Sequence, residues 1–148
     1  MLINLLLGLP TMVLCLMLQT ALLVVVVHYY LKRRNRLNTA TLWSSLAVIK
    51  GIMLLLVIGN LGQIAIWAWL FNLLGEFEQF DDAFYHSAVN FGSLGYGDIV
   101  MSEQYRLLGA LEAINGVLMI GVSTAAMMGT FQGATKQFLG ARDKQPVK

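Results

Sequence analysis

Three long apolar stretches, at roughly residues 2–31, 46–73 and 105–131, are separated by short polar segments along this chain. A helix crossing a hydrocarbon core of about 30 Å needs roughly 20 apolar residues, so each stretch predicts a membrane-spanning helix. Between the second and third the pattern changes twice. Gly75 and the acidic residues Glu76, Glu78, Asp81 and Asp82 predict an exposed loop, since burying several carboxylates in lipid is costly. Residues 83–91 are apolar again but too few to span, which predicts a re-entrant half-helix, tolerated at membrane depth only where protein or water covers it. Asp81 or Asp82 is expected to cap its start and Gly92 to end it. Its carboxyl end then directs a partial negative charge toward the membrane centre.

Composition supports an integral membrane protein, with 57% hydrophobic and only 12% charged residues among 148. Charge also predicts orientation, because Lys and Arg near helix ends favour the cytoplasmic side. Lys32, Arg33, Arg34 and Arg36 follow the first stretch, and Lys136, Arg142, Lys144 and Lys148 follow the third. The acidic residues, with Asp98 and Glu103, lie between the second and third, near Arg106 alone. The amino terminus is therefore expected outside, the turn between Lys32 and Ala40 and the carboxyl terminus inside. The first stretch reads as a retained helix, because a signal peptide carries its positive charges before the apolar run. Tyr29, Tyr30 and Trp43 are expected at the inner interface, Trp67, Trp69 and Phe71 at the outer one, with Lys50 snorkelling to the inner headgroups. The single Cys15 allows no intrachain disulfide.

After the half-helix come Ser93, Leu94, Gly95, Tyr96, Gly97 and Asp98. Glycines spaced two apart let φ take both signs, which turns successive carbonyls to one side of an extended strand. This motif, with an outer helix, acidic loop and half-helix before it and an inner helix after it, resembles the pore domain of tetrameric potassium channels. The resemblance covers roughly residues 51–131. It implies an all-α membrane protein: three transmembrane helices plus a re-entrant pore helix and an extended selectivity-filter loop. It divides the chain into an additional amino-terminal helix and turn (1–45), a pore domain (46–135) and a short basic tail (136–148). It implies further that the backbones of Ser93, Leu94, Gly95, Tyr96 and Gly97 replace the hydration shell of K⁺. The Ser93 hydroxyl then stands where the family has threonine, and Leu94 where valine or isoleucine is usual; both lose a β-branch. The family's filter supports fall on Tyr85, expected to bond Asp98, and on His86, expected to bond the Tyr96 hydroxyl or to pack beside the helix. A His86 titrating near about 6.5 would make this support sensitive to external acid.

On the third stretch Val117, Ile120, Gly121, Thr124 and Met128 recur at helical spacing. In the channel reading Val117, Ile120, Thr124 and Met128 line the cavity and gate, with Met127 beside them as gate or filler. Gly116 and Gly121 read equally as hinges or as close-packing points. Glu112 and Asn115 lie on the opposite face, roughly 140° away for Glu112 at 100° per residue. They are expected to form a polar lock with Asn60 and Gln63, or with Gln19 on the first helix, rather than to carry ions.

The expected activity is passive K⁺ conduction by a homotetramer in the plasma membrane, since one chain supplies one filter strand and cyclic symmetry closes the ring. A non-selective cation channel and a non-conducting subunit acting with another membrane protein are the alternatives. The expected partners are the lipid bilayer and K⁺, with no nucleic acid and no cofactor beyond the transported ion. An enzyme is not expected: Ser93 has Phe91, not glycine, two residues before it, which is not a nucleophile elbow. Two histidines and one cysteine offer little for a metal. With no arginine-rich sensor helix and no domain after Lys148, gating by voltage or by a fused ligand domain is not expected.

Overall fold

In the computed structural model, residues 1–34 and 42–142 are described, and they form four helices: α1 (Leu2–Arg34), α2 (Leu42–Leu73), α3 (Phe80–Phe91) and α4 (Arg106–Arg142). The turn expected on the cytoplasmic side, with Arg36, and Lys144 and Lys148, lie outside the described residues, as do the side chains of Arg34, Trp43 and Arg142. Three helices are long and apolar enough to cross a membrane, at Leu2–Arg33, Leu46–Leu73 and Arg106–Gly133. The third helix runs on without a break to Arg142, so residues 136–142 continue it rather than beginning a separate tail.

Lipid tails are as apolar as leucine, so close packing rather than the hydrophobic effect must hold these helices together. Glycines provide the close approach. A methyl group at Gly51 would lie 2.8 Å from the Tyr29 hydroxyl, and one at Gly133 would collide with the Tyr30 ring. The two tyrosines expected at the inner interface thus also wedge α1 against α2 and α4. Two buried clusters follow from this arrangement. Val26, Val48, Ile52 and Leu56 join α1 to α2. Cys15, Ile64, Trp67, Phe71, Phe91, Leu108 and Met119 fill the junction where all four helices meet.

Trp67 and Phe71 correct the sequence reading, because both are fully buried there while Trp69 faces outward. They do not form an interfacial belt. Their side chains fill the space behind α3, which a re-entrant helix needs if it is to be shielded from lipid.

α2 ends at a glycine in the left-handed region: Gly75 has φ 73, its N–H bonds Asn72 O, and the Glu76 N–H bonds Phe71 O. This Schellman closure satisfies the last carbonyls and turns the chain into the acidic loop. α3 begins three residues earlier than the apolar pattern suggests. Its N-cap is Gln79, which makes no side-chain capping bond, and Asp81 and Asp82 sit in the first turn instead. The expectation of an aspartate cap is therefore wrong. Their charge acts on the helix dipole from within the first turn.

Candidate functional site: the pore helix and filter segment

The carboxyl end of α3 sets the geometry of the filter segment. Gly92 stays right-handed at φ −77, and Ser93 takes the left-handed turn at φ 55. The Leu94 N–H reaches back to Val89 O at 2.9 Å and the Ser93 N–H to Asn90 O at 2.8 Å. A left-handed non-glycine costs roughly 1–2 kcal/mol, so this conformation is imposed by the helix end. From there the sign of φ alternates: Ser93, Gly95 and Gly97 are positive at 55, 61 and 74, while Leu94 and Tyr96 are not. That alternation is what an extended strand needs in order to turn successive carbonyls the same way.

Residues Gly92 to Asp98 are all exposed in the single chain. Leu94 is 59% and Tyr96 68% exposed, a large apolar and aromatic surface with no cover from its own subunit. Beside it, a hollow of about 440 Å³ lies between α3, the filter segment and α4, lined by residues including His86, Asn90, Gly95, Gly97 and Arg106.

Three contacts fasten the segment beyond the filter. The Tyr85 hydroxyl donates to Asp98 Oδ2 at 2.7 Å. This bond holds the Asp98 carboxyl below its ordinary value and raises the Tyr85 phenol above its own. His86 does not reach Tyr96; its Nδ1 lies 3.0 Å from Ile99 O and its Nε2 2.9 Å from Asn90 Nδ2. The reason is positional, because His86 faces inward against Phe71 and Phe77, with ring centroids 5.8 and 5.1 Å away. Burial lowers the His86 pKa, with the bond to Ile99 opposing that shift. Finally, Glu76 accepts from both the backbone N–H and the hydroxyl of Ser102, each at 2.7 Å, clasping the acidic loop to the segment that leads into α4.

On α4, Val117, Ile120, Gly121, Thr124 and Met128 share the exposed face, and Glu112, Asn115, Gly116, Met119 and Ser123 the buried one. The two glycines differ. A Cβ at Gly116 would collide with the backbone of Phe91, 2.7 Å from its Cα, so Gly116 is where the end of α3 seats on α4. Gly121 has nothing within 4 Å. α4 continues as one helix through both.

The polar lock exists but with a different member on α4. Gln63 Nε2 donates to Gln19 Oε1 at 2.7 Å, Gln19 Nε2 to Ser123 Oγ at 3.0 Å, and the Ser123 hydroxyl to Asn60 Oδ1 at 3.3 Å. Neither Asn60 nor Gln63 meets Glu112 or Asn115. Ser123 was missed in the sequence, although it lies two turns along the same helical row as Asn115 and Met119. Glu112 and Asn115 instead face the junction behind α3. Ser87 and Asn90 lie beside the Glu112 carboxyl and Cys15 beside Asn115. No donor bonds either Glu112 oxygen in acceptable geometry, and the polar atoms of Asn115, Ser87 Oγ and Trp67 Nε1 are likewise buried and unbonded.

The sequence profile of the ion channel family matches residues 52–132, more than half of the chain. The matched region begins in α2, contains α3 and the filter segment, and ends in α4. No match to a curated protein or to a solved structure was found.

Proposed function

The chain belongs to the ion channel family, and on that premise we propose that four copies form a K⁺-selective channel that conducts passively. The observation that carries this reading is the alternation of φ at Ser93, Gly95 and Gly97 directly after a re-entrant helix. Backbone carbonyls are suited to K⁺ because they replace its water ligands without a net charge that would trap it. In this reading Ser93, Leu94, Gly95, Tyr96 and Gly97 supply the ligands, Tyr85 and Asp98 brace the outer end, and Val117, Ile120, Thr124 and Met128 line the approach from inside.

A ring of copies also accounts for the surfaces left bare. Leu94, Tyr96, Val117, Ile120 and Met128 are exposed apolar side chains in one chain, and the hollow beside the filter would be filled by the neighbouring subunit. Cyclic closure gives each filter strand identical neighbours with no open edge. In this reading the channel lies in the plasma membrane with Lys32, Arg33 and Lys136 favouring the cytoplasmic side for the carboxyl end of α4, which leaves the acidic loop outside.

One observation favours a less selective pore: Ser93 and Leu94 lack the β-branching that would stiffen the strand. Recording from purified protein in a planar bilayer, with K⁺ on one side and Na⁺ on the other, decides between the readings. A reversal potential near that of K⁺ is expected. Reversal near zero would replace the proposal with a non-selective channel, and no current from a protein of tetrameric mass would leave a non-conducting subunit.

A further inference from the structure

α1 and α4 run side by side in the same direction, and their contacts keep one register. The Asn4 amide donates to Gln104 O, Gln19 Nε2 donates to Ser123 Oγ, and the Tyr30 ring lies against Gly133, pairs 100 to 104 residues apart. Between the last two contacts the helices part. Val26, Val27 and Tyr30 of α1 and Ala126, Gly129 and Thr130 of α4 are among the residues that line a groove of about 210 Å³ there. Side-chain size opens it: a Cβ added at Gly129 would have nothing within 4 Å, whereas one at Gly133 would collide with Tyr30. The Thr130 hydroxyl bonds Ala126 O within its own helix, which leaves this wall apolar. From Ser123 to Gly133 the groove runs ten residues of α4, or about 15 Å at 1.5 Å per residue. That is the depth of one leaflet of a hydrocarbon core of about 30 Å.

The lower end of the groove is basic. Lys136 is exposed and lies seven residues beyond Gly129, two turns along the same row of α4. Lys32 and Arg33 stand at the same depth on α1 but point elsewhere. Arg33 lies over the Tyr29 ring, 5.6 Å from its centroid, on the side that Tyr29 turns to Gly51 of α2. Lys32 is roughly 200° around α1 from Tyr30 at 100° per residue. No acidic residue occurs in α1, in α2, or in α4 beyond Glu112, and Asp143 lies outside the described residues.

We propose that this groove is a binding site for an anionic phospholipid, with one acyl chain between α1 and α4 and the phosphate at Lys136. The apolar walls match a lipid tail and the length matches one leaflet. A soluble anion would meet the lysine alone. The positive end selects an anionic headgroup, because each basic side chain near an anionic lipid surface strengthens binding. The groove also faces away from the surface a ring of copies would close on: Val117 and Thr124 lie roughly 180° and 160° around α4 from Ala126. In the orientation proposed above, the basic end lies in the cytoplasmic leaflet, where anionic lipids concentrate. The site needs a bilayer but no ion conduction.

The test is native mass spectrometry of the full chain in detergent micelles, titrated with phosphatidylglycerol or with phosphatidylcholine of the same palmitoyl and oleoyl chains. Phosphatidylglycerol is expected to bind more tightly, and Lys136→Gln to weaken it by about fivefold, the effect of one basic side chain, without weakening phosphatidylcholine. Lys32→Gln and Lys50→Gln remove the same charge away from the groove and should change little. Gly129→Leu fills the groove and should weaken both lipids, and an excess of glycerol phosphate should displace neither. Equal affinity for the two lipids, or an equal loss from Lys32→Gln and Lys136→Gln, overturns the proposal. So does displacement by glycerol phosphate, or a Gly129→Leu variant that binds phosphatidylglycerol unchanged. If Gly129→Leu alters the oligomeric mass instead, a second copy occupies the groove and the proposal falls. Should Gly129→Leu not fold, the exposed Lys136→Gln and Lys32→Gln variants decide it. Binding is read by mass without ion flux, so failure here leaves the channel reading standing, and a protein that binds lipid without conducting refutes that reading alone.

Discussion

The hydroxyl of Tyr85 and the carboxylate of Asp98 are joined across 2.7 Å, tying the middle of α3 to the end of the glycine-bearing segment that follows it. The pair is exposed, so its importance lies in position rather than in energy. Its pH dependence follows from the two shifts. The Asp98 pKa is depressed, so its contribution is present above the ordinary carboxylate range near about 4 and is lost as pH falls through the lower folded value. The Tyr85 pKa is raised, so its contribution is present below about 10 and is lost as pH rises through the higher folded value. Between these limits the bond should be constant. Tyr85→Phe should return the Asp98 carboxyl toward its ordinary value, as measured by ¹³C titration; an unmoved carboxyl would mean that the bond does not form in the bilayer.

Gly116 and Gly121 should respond oppositely to alanine. At Gly116 the added methyl meets the backbone of Phe91, which a rotamer change cannot move aside. Overpacking of that kind costs about 1–3 kcal/mol. At Gly121 the methyl meets nothing within its own chain, and replacing a helical glycine gains about 0.5–1 kcal/mol. Unfolding of the two variants in mixed detergent micelles checks the contrast, and equal stabilities would refute it.

Ser123→Ala breaks the chain of bonds between α1, α2 and α4 at its centre, leaving Gln19 Nε2 and Asn60 Oδ1 without this partner. Hydrogen bonds between membrane helices are worth only about 0.6 kcal/mol on average. A double-mutant cycle of Ser123→Ala with Gln19→Leu should therefore give a coupling energy of about that size, whereas Thr20→Val, whose hydroxyl bonds its own helix at Leu16 O, should give none with Ser123→Ala.

Glu76→Ala removes the acceptor of two bonds from Ser102. Hydrogen bonds to a charged group contribute about 1.5–3 kcal/mol, and solvent at this exposed clasp reduces that. Amide exchange at Ser102 should accelerate by roughly tenfold, with little change in the buried turns of α3. Mass spectrometry after brief deuteration reads both regions at once.

Ser93→Val tests the turn into the filter. The position has φ 55, where a β-branched residue is a genuine outlier, and in the proposed channel the change also deletes a hydroxyl beside the ion path. Added strain of about 1–2 kcal/mol is expected, with K⁺ current sharply reduced while Ser93→Gly, which accepts this φ freely, retains a larger share. Currents of equal size in the two variants would show that the left-handed turn is not required for conduction.

The amino-acid sequence by itself determined the three long apolar helices, the short helix after the acidic loop, the alternating φ of the glycine-bearing segment that follows it, and the exposed and buried faces of α4. Each depends on hydrophobic length, helical period or local glycine conformation, all properties of a short stretch of chain. Tertiary structure decided which side chains meet. His86 bonds Ile99 and Asn90 rather than Tyr96 because the azimuth of α3 against α2 turns it toward Phe71 and Phe77. Ser123 rather than Glu112 joins the lock with Gln19 and Gln63, and Trp67 fills the core rather than the interface. Such choices depend on helix rotation and depth, which a rise of about 1.5 Å and a turn of about 100° per residue leave free until the helices pack. Gly116 is the sharpest case: in sequence it reads equally as hinge or notch, and only the backbone of Phe91 lying against it makes it a seat.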